Sequence, residues 1–405
     1  ALLRAGSAVH VIATSREPLR AEGEQLYPAP PLAAPAEDAE DPLEYGAVRL
    51  FIERARATEP DLAPDRRGAT TIAAICRRLD GIPLAIEMAA ARVAALGVEE
   101  LADRLDDRFH LLTGGWRTAL PRHQTLRATL DWSHELLTDT EQALLRRLAV
   151  FAGPFSLEAA GAVLTSNEIA SPEVVVGLFS LVAKSLVVAE IDAPVPRYRL
   201  LDTTRTYALE KLVESGEREQ LARRHAVFYQ DLFSRAETEL EARPTAEWLG
   251  DYRWRIGNLR AALDWAFSPN GDAEIGAALT AAAGPLWMHL SLLEECRGRV
   301  ERALDGLGAG TDREARLEMK LRAALGVSLI HASDARLPAI GATWARVLEI
   351  AERLDDVEYL LRSLWGLWFF NWASGRHRVA LTLAGDSRRW RRADPTRTIV
   401  WSESA

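Results

Sequence analysis

The chain has 405 residues, 48% of them apolar and 26% charged, with a formal net charge of −9. That profile excludes a disordered or collagen-like polymer and leaves room for two to four folded domains. The acidic balance argues against a generally nucleic-acid-binding surface, and no apolar run approaches the length that spans a bilayer.

Ala1-Leu2-Leu3-Arg4 has neither the basic start nor the apolar core of an export signal. Cys76 and Cys296 lack metal-type spacing and read as small buried hydrophobes in a reducing, cytoplasmic setting.

Residues 8–13 form a β-branched run that ends at Thr14-Ser15-Arg16-Glu17-Pro18 and predicts a buried strand running into a loop. A lone strand leaves its backbone groups unpaired, so the chain is expected to begin inside a domain, with residues 1–34 the remnant of a nucleotide-binding sheet and a linker. Pro28, Pro30, Pro31, Pro35 and Pro42 favour extended backbone and read as a connector.

Residues 35–137 carry helical periodicity throughout, with Val48, Phe51, Ile52 and Ala55 on one face and Ile72, Ile75, Cys76 and Leu79 on another. Asp80-Gly81-Ile82-Pro83 ends one helix and starts the next.

Residues 138–215 predict three helices and a hairpin. Thr138-Asp139-Thr140-Glu141 is a capping box, Ser156 caps a short helix to Leu164, and Ser171-Pro172-Glu173 opens a third that reaches Lys184. Strands at Leu186–Ile191 and Arg197–Leu201 complete a winged helix. The third helix presents Val174, Val175, Val176, Leu178, Phe179, Leu181 and Val182, a face that belongs in a core, and only Lys184 at its end suits phosphate or base contact.

Residues 216–393 read as helical repeats, because Leu325-Gly326 and Trp365-Gly366 recur about 40 residues apart at matching places, as tetratricopeptide-like arrays do. Trp344, Trp365, Trp368, Trp372 and Trp390, with Phe369 and Phe370, serve core and groove packing or line a concave peptide-binding surface. Arg388, Arg389, Arg391 and Arg392 read as a solvated helix face. Residues 394–405 continue no repeat and are expected to be poorly ordered. The eight histidines pair with no nucleophile at usable spacing, and the sequence offers no metal site.

Several stretches together resemble bacterial STAND regulators, relatives of the NB-ARC ATPases often described as winged-helix transcriptional regulators. They are Ile12 to Leu19, Gly81-Ile82-Pro83-Leu84-Ala85-Ile86-Glu87, His123 to Ser133, Leu144 to Gly153, Tyr198 to Arg205 and Asn258 to Leu263. The resemblance implies a mainly α fold: a residual α/β strand, a helical lid, a winged helix and a tetratricopeptide-like α-solenoid.

It also implies latent nucleotide contacts. Arg16 matches the arginine that senses a γ-phosphate, and Gly81 and Pro83 match a Gly-Leu-Pro-Leu turn whose proline packs on adenine. Leu200-Leu201-Asp202 stands where relatives carry Met-His-Asp; leucine cannot bond a phosphate, so Asp202 reads instead as the cap of the helix that follows.

Intact relatives use ATP or ADP. The three lysines here, Lys184, Lys211 and Lys320, follow Ala183, Glu210 and Met319, so no Gly-Lys phosphate cradle exists, no cofactor is expected, and ATPase activity has no residue support. The expected function is that of a regulatory fragment working through protein or peptide contacts at the repeats, with no membrane partner and little expectation of DNA binding. The alternatives are a DNA-binding regulator with ATP-dependent switching and a peptide-binding repeat scaffold.

Overall fold

The computed structural model describes residues 12–15, 19, 21–27, 29–107, 126–191, 195–308, 311–330 and 337–393. It divides into two units, residues 1–150 with 155–218, and residues 151–154 with 219–405. Helices dominate, and the one sheet among the described residues has two strands. Most of the strand expected at residues 8–13 lies outside the described residues; Ile12 and Ala13 are irregular and exposed. The tail from residue 394 lies outside them as well.

The first unit opens with a helical layer: α1 (Gly46–Arg56), α2 (Arg66–Arg78), α3 (Pro83–Ala90), α4 (Val93–Leu96) and α5 (Val98–Asp103). The two periodic faces read from the sequence meet in one core of Val48, Phe51, Ile72, Ile75, Cys76, Leu79 and Ile86. The single alanine-rich helix expected over residues 84–96 is divided into α3 and α4. Burial pushes the Cys76 thiol up to about 12, so it is an inert packing group.

The proline-rich connector is not a loose spacer. Leu32 and Ala34 pack on this core. The Leu32 N–H donates to the Gly81 carbonyl at 2.9 Å, the Ala47 N–H to Ala33 at 3.2 Å, and Arg77 Nη1 to the Pro35 carbonyl at 3.0 Å.

After α6 (Leu126–Glu135) come α7 (Asp139–Leu148), α8 (Leu157–Leu164), α9 (Ser171–Ala183), β1 (Val188–Glu190), β2 (Arg197–Arg199) and α10 (Asp202–Glu214). The Thr138–Glu141 capping box forms, and Ser156 caps α8 through the Ala159 N–H. The strands are shorter than their apolar runs and pair antiparallel, Val188 with Arg199 and Glu190 with Arg197. Gly177 is required where α9 crosses α7, since a Cβ there would collide with Leu144 Cδ1. Glu141 ties the same two helices, accepting from Lys184 Nζ at 2.7 and 2.8 Å and from the Ser180 hydroxyl at 2.6 Å.

The second unit contains α11 (Arg218–Ala242), α12 (Thr245–Tyr252), α13 (Ile256–Ala266), α14 (Ala273–His289), α15 (Leu293–Asp305), α16 (Asp312–Ile330), α17 (Leu337–Leu354), α18 (Val357–Ala373) and α19 (His377–Ala393). From α14 onward, each helix packs mainly on the next. Gly326 of α16 and Gly366 of α18, which set the repeat spacing in the sequence, flank the same indole: a Cβ at either would collide with Trp344 of α17. Within this unit Asn258, fully buried, holds the segment Phe151–Pro154, accepting from the Ala152 N–H at 2.9 Å and donating to the Pro154 carbonyl at 2.6 Å.

Candidate functional site

Helix α2 closes on two residues in the left-handed region, Asp80 at φ 56° and Gly81 at φ 66°. The Gly81 N–H returns to the Cys76 carbonyl at 3.1 Å, and Pro83 then occupies the first turn of α3. Glycine is needed at 81 for two reasons: the positive φ, and a Cβ that would overlap the Leu32 carbonyl oxygen. The turn therefore projects the Asp80 side chain in a direction that neither helix fixes alone.

That side chain reaches the N-terminus of α10, 122 residues away. Asp80 Oδ1 accepts from the Asp202 N–H at 3.0 Å, while Oδ2 accepts from the Thr203 N–H at 2.9 Å and the Thr203 hydroxyl at 3.1 Å. The residue at the cap position of α10 is Leu201, which has no acceptor in its side chain. Asp80 thus does in trans what an N-cap does locally, satisfying unpaired N–H groups and placing a carboxylate at the positive end of the helix. This corrects the expectation that Asp202 caps the helix: Asp202 is its first residue, and its N–H is a donor to the cap.

The same helix is gripped twice more. Tyr207 is buried and belongs to the core of the helical layer. Its hydroxyl donates to Asp131 Oδ1 of α6 at 2.8 Å, and Arg127 of α6 pairs with Glu210 at 2.8 Å. At its far end, Glu217 accepts from Arg146 at 2.6 Å and from Arg147 of α7. Helix α10 is therefore shared, one side built into the helical layer and the other into the winged helix.

Electrostatics follow from this burial. Burial pushes the Asp80 carboxyl above its usual value, with the Thr203 and Asp202 N–H bonds pulling the other way. Tyr207 is raised by burial and by its bond to Asp131, and His134, whose ring meets Tyr207 edge-on at 5.7 Å, is lowered by burial.

A cleft of about 350 Å³ adjoins the turn, lined by residues 30–34, Arg77, Asp80 and Arg199. Of the residues singled out in the sequence, Gly81 is buried and Pro83 is exposed at this turn, whereas Arg16 lies outside the described residues. Among the described residues no cluster of His, Cys, Asp or Glu is placed to hold a metal ion. What the arrangement can do is fix one helix relative to another layer.

The third helix of the winged helix departs from expectation. Val174, Leu178 and Leu181 are buried, but Val176 is 69% and Phe179 50% exposed, so the valine-rich face is divided between core and surface. In the repeats Trp344 is buried, Trp365 and Trp368 are half-buried, and Trp372 is exposed; the side chains of Trp390 and Arg388 to Arg392 lie outside the described residues.

This architecture defines a mainly helical protein with a winged helix, and residues 137–213 match the family described as winged helix-turn-helix domain. The chain is 39% identical over 378 residues to a protein of Mycobacterium tuberculosis named as an HTH-type transcriptional regulator, covering 90% of this chain and 40% of that protein. An uncharacterized M. tuberculosis protein is 44% identical over 225 residues, covering 55% of each chain. This chain thus spans about two fifths to just over half the length of those relatives. Among solved structures, a Signal Transduction ATPase with Numerous Domains (STAND) protein with a tetratricopeptide repeat sensor, from Pyrococcus horikoshii, aligns over 86% of this chain and 47% of its own, at 15% identity and a TM-score of 0.34. No described helix is long and apolar enough to cross a membrane.

Proposed function

We propose that this chain is the control section of a transcriptional regulator, which holds its winged helix against a helical layer and takes a protein or peptide on its C-terminal helical repeats. The observation that carries the reading is the Asp80 bond set to the N-terminus of α10. A switch needs a discrete element whose position can be biased, and one helix shared between two layers is such an element. Likeness to an HTH-type transcriptional regulator over most of the chain supports the regulatory role.

The proposal includes STAND-type nucleotide control in complete relatives, with Arg16, Gly81 and Pro83 as its latent contacts. The exposed ring of Pro83 suits a flat base, whereas the Gly81 carbonyl is already committed to Leu32. Calorimetry of this chain with ATP or ADP is expected to give no measurable binding, because its sequence contains no Gly-Lys phosphate cradle. Micromolar affinity would overturn that part.

The test of the regulatory reading is transcript measurement with the complete gene carrying Asp80→Ala. Released winged-helix contacts should change transcript levels of its target genes several-fold. A variant that is destabilised but leaves every transcript unchanged contradicts the reading.

A second reading, direct DNA binding by the winged helix, is favoured by the match over residues 137–213. A gel shift at low salt separates the two, since a duplex held through phosphates is retarded most strongly there.

A further inference from the structure

Helix α9 occupies the place of a recognition helix, yet its outward face carries nothing that reads bases. Pro172, Val176, Phe179 and Ala183 follow each other at i, i+4, i+7 and i+11, and all four are exposed. The hairpin lies alongside: the Phe179 ring stands 6.5 Å from that of Tyr198 on β2, and Ile191 and Val195 beyond the strands are exposed too.

The charges around this stripe have one sign. Glu173, at its N-terminal end, is the only charged residue of α9, and its carboxylate accepts from the Ala170 N–H at 2.8 Å. Lys184, just past the helix, is neutralised by Glu141. On the hairpin, Glu190 and Arg199 pair with each other at 3.3 Å. Duplex DNA would bring phosphates to a face that offers no unneutralised cation on α9 and exposes valine and phenylalanine to water.

We infer that this face of α9 docks an amphipathic helix of a protein partner, one whose apolar ridge at i, i+3/i+4 and i+7 is flanked by lysine or arginine. The ridge covers Val176 and Phe179, and the flanking cations meet the acidic margin at Glu173. This surface is distinct from the partner site proposed on the repeats and does not depend on Asp80, so the two readings fail separately.

The test uses the full chain and a fluorescent, lysine-flanked, leucine-ridged helical peptide about 18 residues long, followed by anisotropy. Binding is expected, and Phe179→Asp or Val176→Asp should weaken it about tenfold, in line with losing one buried apolar side chain. Both substitutions add negative charge, so an attraction that is merely electrostatic would strengthen. Phe179→Ala, whose fold is checked by circular dichroism, guards against an unfolded aspartate variant and should also weaken binding. Three results overturn the inference: no peptide binding, binding that the substitutions leave equal or stronger, or retardation of a mixed-sequence duplex that Phe179→Ala abolishes. Self-association of the chain that is lost with Phe179→Ala would reassign the face to a second copy.

Discussion

At the scale of single residues, the account rests on Asp80. Asp80→Ala removes three acceptor contacts and should destabilise the first unit by about 2 kcal/mol, within the range of lost helix caps and charged hydrogen bonds. Asp80→Asn keeps one acceptor oxygen and should cost less; denaturant unfolding of both variants checks the order.

Glu141 gives a pH-dependent prediction. Burial opposes its ionisation, but the Lys184 ammonium, the Ser180 hydroxyl and the Thr138 N–H outweigh it and hold the carboxyl at about 2, against an ordinary value of 4.5. A depressed value means that the native state favours the ionised form, so this stabilisation is present above pH 4.5 and drains away as pH falls towards 2. It amounts to something on the order of 2 kcal/mol, and Glu141→Gln should flatten that acid limb in a pH series of thermal melts. Glu141 was legible as half of a capping box; its bond to Lys184, 43 residues away, was not. Asp80 shows the same limit. Capping rules look one to three residues ahead, so they pointed to Asp202, the nearest acid, rather than to a carboxylate in a distant turn.

At the scale of elements, three glycines mark where backbones must meet. Gly81→Ala strains a left-handed residue and strikes the linker, so it should destabilise by more than about 2 kcal/mol and expose residues 30–36 to protease. Gly177→Ala and Gly366→Ala overpack against Leu144 and Trp344 and should each cost about 1–3 kcal/mol in urea unfolding. The order of helices through the winged helix was readable because each start carries its own cap: Thr138 with Glu141, then Ser156, then Ser171-Pro172-Glu173. Element lengths were less readable. Apolar runs at residues 186–191 and 197–201 extend past the three-residue strands, since Leu186, Val187 and Leu200 are buried without joining the ladder. Helix α9 was misjudged because its valines and phenylalanine surround the helix, and periodicity cannot say which of several apolar faces is covered.

At the scale of the molecule, the division into a lid-like helical layer, a winged helix and helical repeats was largely legible, as was the repeat spacing, since Gly326 and Gly366 both answer to the bulk of Trp344. What the sequence could not disclose is that α10 belongs to two layers at once, because Tyr207 reads as one more apolar residue on a helix and Asp131 as one more solvated acid. The central claim is that the Asp80 carboxylate fastens the start of α10 and thereby joins the winged helix to the helical layer. Residue-resolved hydrogen exchange in the intact chain tests it most directly. The account predicts that Asp80→Ala sharply reduces protection of the Asp202 and Thr203 amides while leaving the amides of α7 and α8 protected. Unchanged exchange at residues 202 and 203 would contradict it.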